Sequence, residues 1–97
     1  MDVDALIGWN FKRLRIQLGL SQEEVALRLG TIDQGYISQL EAGERNPTGR
    51  TIFKLASSLG VSAGELFATD GIPQEISMSE HPAQTKSRAG RAKKPKP

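Results

Sequence analysis

The stretch that most narrows what this chain can become is SQEEVALRLGTIDQGYISQLEAG, Ser21–Gly43, because it places two helix starts and two helix stops in one short run. Ser21 is a good N-cap: its hydroxyl can accept from the Glu24 N–H while the Glu24 carboxylate reaches back to the Ser21 N–H, a capping box. Val25, Ala26 and Leu29 then recur near helical spacing until Gly30, which can take the left-handed conformation that ends a helix. Asp33 is placed to cap a second helix with an apolar stripe of Tyr36, Ile37 and Leu40, and Gly43 supplies the next stop. The remainder of the chain is expected to support this pair.

With Ile37 turned inward, a rotation of about 100° per residue leaves Gly35, Ser38, Gln39 and Ala42 on the opposite face, with Gln34 at its N-terminal edge. That face is small, polar and uncharged. Glutamine can bond N6 and N7 of adenine together, and small neighbours let a helix approach base edges in the major groove. Ordinary solvent exposure is the other reading of the same residues.

The runs RLRIQLGLSQEEVALRLG, YISQLEAGERNP and KLASSLGVSAGELF together resemble the Cro and phage-repressor family of helix-turn-helix DNA-binding domains, also called the xenobiotic-response-element type. The likeness covers roughly residues 7–68. It implies an all-α, compact five-helix, lambda-repressor-like domain in which Gln22 opens the first helix of the motif, Ala26 is the small residue at the helix crossing, and Ile37 and Leu40 seat the recognition helix. Gln34, Gly35, Ser38 and Gln39 are then the expected base contacts. Arg15 aligns with an arginine that pairs with a glutamate at the end of the recognition helix, here Glu41. Burial makes that pairing sensible, since an unpaired inward carboxylate is costly and a guanidinium can satisfy both oxygens. One departure stands out: Thr31, Ile32 and Asp33 put three residues between Gly30 and Gln34 where the commonest pattern has two, so the turn is expected to be wider.

Before the motif, Asp2 and Asp4 are candidate caps, and Ile7, Phe11, Leu14 and Leu18 form one stripe on a helix ending at Gly19; Trp9 and Ile16 fall off it. After it, ERNPTG reads as loop, with Pro47 as interruption and Thr48 as the next cap. In the family this loop follows the phosphate backbone, which makes Gln22, Arg45, Asn46 and Arg50 the expected phosphate contacts. Ile52, Leu55, Ala56 and Leu59 restore a helical stripe, and Ser62 with Glu65 repeats the capping-box pattern before Leu66 and Phe67.

A 97-residue chain with 37% hydrophobic residues makes one small domain, placed at 1–69. From Asp70 to residue 97 the composition turns to Pro, Ser, Gln, Ala and Lys, so a flexible, disordered basic tail is expected there. Six of the 13 basic residues and none of the 11 acids fall in the last twelve positions, so a +6 tail follows a part with seven bases against eleven acids. Lys12, Arg13, Arg28, Arg45, Arg50 and Lys54 would then have to cluster on one face to meet DNA.

Cysteine is absent and His81 stands alone, so neither a disulfide framework nor a metal site is expected. No catalytic grouping or phosphate-cradling glycine loop can be assembled, so the chain is not expected to be an enzyme, and no cofactor or small-molecule ligand is implied. No run approaches the roughly 20 apolar residues of a membrane span and no basic secretory start is seen, which leaves the cytoplasm as the expected location. The expected function is a DNA-binding transcriptional regulator, a repressor on a palindromic operator, bound to double-stranded DNA as a homodimer. The alternative is an antitoxin-like protein-interaction module on the same fold.

Overall fold

The computed structural model describes residues 1–79, and among these every regular element is helical: α1 (Val3–Gln17), α2 (Gln22–Leu29), α3 (Gln34–Glu41), α4 (Gly49–Ser58), a 3-10 helix (Ala63–Phe67) and α5 (Gln74–Ser77). The starts are those the caps dictate. Asp2 accepts from the Ala5 N–H at 3.0 Å, Asp33 from the Tyr36 N–H at 2.9 Å and Thr48 from the Thr51 N–H at 3.2 Å. At Ser21 both halves of the capping box form, at 3.0 and 2.7 Å.

Ile7, Phe11 and Leu14 of α1, Val25 of α2, Ile37 and Leu40 of α3, and Leu55 of α4 meet in one core. Leu18 does not join them. α1 stops at Gln17, the chain reverses at Gly19, and Leu20 closes that end of the core while Leu18 stays 51% exposed. The widened turn also finds its place here, because Ile32 packs against the core and Thr31 faces solvent.

Two features set how α1 lies on the rest. At Gly8 an added Cβ would fall 2.0 Å from the Leu40 carbonyl oxygen, so α1 and α3 cross backbone to backbone. Asn10, fully buried, donates through Nδ2 to the Leu66 and Ala68 carbonyls at 3.0 and 2.9 Å and accepts from Arg13 at 2.9 Å, which ties the end of the 3-10 helix to α1. The second capping box is not formed. In a 3-10 turn the Glu65 N–H lies over the Ser62 carbonyl, 3.0 Å away, and no side-chain cap bond is made.

Packing continues past the expected boundary at residue 70: Ile76 of α5 is buried, and its carbonyl accepts the Asp2 N–H at 3.0 Å. The basic run of residues 86–97 lies outside the described residues. No helix among the described residues is long and apolar enough to cross a membrane.

Candidate nucleic-acid interface

The N-terminus of α2, the outer face of α3 and the loop after it form one surface. Gln34, Gly35, Ser38, Gln39 and Ala42 are all exposed on α3, while Ile37 and Leu40 on the other side of the helix are completely buried. The face is therefore as polar and uncharged in space as its spacing implies. Gly35 keeps its N-terminal end bare of side chain, allowing close approach.

A polar chain runs from this surface into the interior. Gln34 Nε2 donates to Gln22 Oε1 at 3.2 Å, and Gln22 Nε2 donates to Glu41 Oε1 at 3.0 Å. Glu41 also takes two bonds from Arg15, Nε to Oε2 at 2.6 Å and Nη2 to Oε1 at 2.9 Å, in the bidentate geometry a guanidinium and a carboxylate favour. Arg15 Nη1 donates in addition to the Leu20 carbonyl at 2.7 Å. With 10% and 4% of their side chains exposed, the pair is nearly dry. The hydrogen bond and charge of Glu41 hold the Arg15 guanidinium proton more tightly than usual, against the burial that works the other way. The expected Arg15–Glu41 pair is thus formed, and it carries Gln22, which binds it to the exposed end of α3.

The loop residues divide. Arg45 donates through Nε to Gln39 Oε1 at 2.8 Å, and its guanidinium lies 4.9 Å from the centre of the Tyr36 ring. Burial of Tyr36 raises its phenol above the usual value of 10.0, with nearby Arg45 partly opposing. Asn46 donates through Nδ2 to Asp4 Oδ1 at 2.7 Å, so its side chain anchors the loop to the start of α1. Arg50 is exposed on the first turn of α4.

The six basic residues do not gather on one face. Arg28, toward the end of α2 remote from Gln22, donates to the Ser58 carbonyl at 3.0 Å and braces α2 on α4, where it lines a shallow groove with Phe53 and Lys54. Arg13 is committed to Asn10 and sits 5.5 Å from the half-buried Trp9 ring. Of the six, Arg45 is the one bonded to the outer face of α3. The Gln34–Gln22 link, the Arg45–Gln39 bond and the Asn46–Asp4 anchor had no signal in spacing, because they form across the turn between α2 and α3, across the cap of α3, and between the loop and the distant start of α1. Among the described residues no group of His, Cys, Asp and Glu is placed to hold a metal.

The chain is similar to known proteins in sequence and fold. The helix-turn-helix family model matches residues 11–66. An uncharacterized HTH-type transcriptional regulator of Sinorhizobium fredii, y4dJ, is 53% identical over 74 residues, 75% of this chain and 95% of that protein. Among solved structures, the hypothetical transcription factor NHTF from Neisseria is similar with a TM-score of 0.67 and 35% identity over 71% of this chain and 78% of the other. The restriction-modification controller protein C.AhdI from Aeromonas hydrophila has a TM-score of 0.62 and 38% identity over 66% of this chain and 96% of its own.

Proposed function

Because the chain belongs to the helix-turn-helix family and is a DNA-binding transcription regulator, we propose that it acts as a repressor that binds a palindromic operator as a homodimer. The observation that carries this is the uncharged face of α3, presented to solvent yet held from behind by the Gln34–Gln22–Glu41–Arg15 chain. Held in this way, the amides of the face keep a fixed orientation, which reading base edges requires.

In this reading Gln34, Gly35, Ser38 and Gln39 enter the major groove and meet base edges. Gln22 at the start of α2, with Arg45, Asn46 and Arg50 beyond α3, lies against the phosphates and sets register. An eight-residue recognition helix is only about 12 Å long and spans few base pairs. Two copies related by a two-fold axis would read two half-sites about 34 Å apart, which multiplies selectivity without lengthening the helix. Occupying promoter DNA in this way excludes other proteins from it, and no catalytic step is proposed.

Selection from random duplex pools tests the reading. The full chain should enrich one inverted repeat, and sedimentation should show two chains per duplex. Enrichment of no sequence would overturn base reading and favour a protein partner for the same fold; a single half-site bound by one chain would overturn the dimer.

A further inference from the structure

We propose that Arg45 determines specificity by acting through Gln39, so that the pair presents an edge dominated by hydrogen-bond donors and reads guanine in preference to adenine. The inference rests on the reading of α3 as the base-reading helix and deepens it.

The geometry begins at Gly43. With φ at +79°, it lets α3 close with the Gly43 N–H on the Leu40 carbonyl at 3.0 Å and the Glu44 N–H on the Gln39 carbonyl at 2.9 Å. These are the two bonds of a Schellman motif, which folds the chain back along the helix it ends. Arg45 therefore returns beside the last turn of α3. Its guanidinium stacks on Tyr36, a half-buried ring that serves as a fixed platform, and its Nε–H meets Gln39 Oε1 at 2.8 Å. A planar guanidinium can stack and donate sideways at once, which an ammonium cannot.

The consequence lies in the amide. A free glutamine matches adenine because Oε1 accepts from N6 while Nε2 donates to N7. Here one of the two lone pairs of Oε1 already accepts the Arg45 Nε–H and the oxygen is turned toward the guanidinium, while Nε2 has no partner among the described residues, so the edge of Gln39 left to a base is led by its NH2 group, flanked by the N–H groups of Arg45. Guanine presents acceptors at both N7 and O6 and suits that edge. Adenine would set its own N6 donor against an edge led by donors, with Oε1 turned toward Arg45.

The test is selection from random duplex pools by the full-length chain, run in parallel for wild type, Gln39→Ala, Arg45→Ala and Arg45→Lys. The base pair that Gln39→Ala relaxes is the one Gln39 reads, and it should carry guanine in the wild-type site. Both Arg45 variants should shift that pair toward adenine by about tenfold, the low end of one good base contact. Arg45→Lys should keep the wild-type salt dependence, because it retains the charge, which separates amide orientation from phosphate attraction. Adenine in the wild-type site, an unchanged base preference in both Arg45 variants, or no position relaxed by Gln39→Ala would each overturn the proposal. A wild-type chain that enriches nothing is a different result: it overturns base reading itself.

Discussion

Glu41 shows what one side chain can hold together. It accepts two bonds from Arg15 and one from Gln22, so it joins α1, α2 and α3 from the end of the recognition helix. Removing it leaves a guanidinium buried without its counter-charge, and Glu41→Ala should lower unfolding free energy by about 3 kcal/mol, read as a lower urea midpoint with the slope unchanged. An unaltered midpoint would mean that the pair contributes nothing net. Gly8 works by absence. Any side chain there meets the Leu40 carbonyl, so Gly8→Ala should destabilise by about 2 kcal/mol or more, although alanine is the better helix former by roughly 1 kcal/mol in isolation. Thermal melting of the single variant decides this, and a stabilised protein would show that the crossing is looser than its geometry.

Among the elements, α2 carries the capping box, and its energy depends on pH. The Ser21 backbone N–H, and then its hydroxyl, hold the Glu24 carboxyl below its ordinary value of 4.5. A carboxylate with a depressed value when folded binds its proton more readily when unfolded. Its contribution is therefore complete above 4.5 and disappears as the pH falls through the depressed value. Glu24→Gln keeps a capping partner but has no charge to lose, so the stability difference between wild type and variant should shrink as the pH drops from about 6 to about 3. A difference that stays constant with pH would place the stabilisation elsewhere. In α3 the extra turn residue is absorbed by seating Ile32 on the core, which leaves the Asp33 cap and the inward stripe of α3 intact.

At the scale of the molecule, charge and recognition are separated. Arg45 is bonded to the outer face of α3, while Arg13 holds Asn10 on α1 and Arg28 braces α2 on α4. Residues 86–97 add six positive charges with no acid. Long-range attraction to a polyanion should therefore depend on them. Deleting this run should weaken binding to random DNA at low salt and flatten the salt dependence, with the preferred operator and the melting temperature unchanged. Mobility shifts on mixed duplexes measure it; equal affinity of the two chains at low ionic strength would remove the run from DNA capture.

Local rules by themselves determined where α2 to α4 begin, most of the residues that face inward, and that Gln34, Ser38 and Gln39 face out, because caps and a 3.6-residue period act within a few positions of the chain. They left the α1 cap open between Asp2 and Asp4 and placed Leu18 inward, although it is exposed. The resemblance to known regulators supplied the Arg15–Glu41 pair, which the structure forms at 2.6 Å. Only the tertiary structure decided the rest. No cap, stripe or motif marks Asn10, yet it satisfies carbonyls 56 and 58 residues away. Gly8 carries no pattern at all until α3 lies across it. The 3-10 geometry after Ser62 displaced a capping box that the residues permitted, and Ile76, in a stretch whose apolar residues allowed docking as a short strand or turn, docks instead as a short helix at the start of α1. For Asn10, Gly8 and Ile76 the deciding contact joins segments far apart in sequence, and the energy of burying and pairing groups across such distances is not a property of any short stretch.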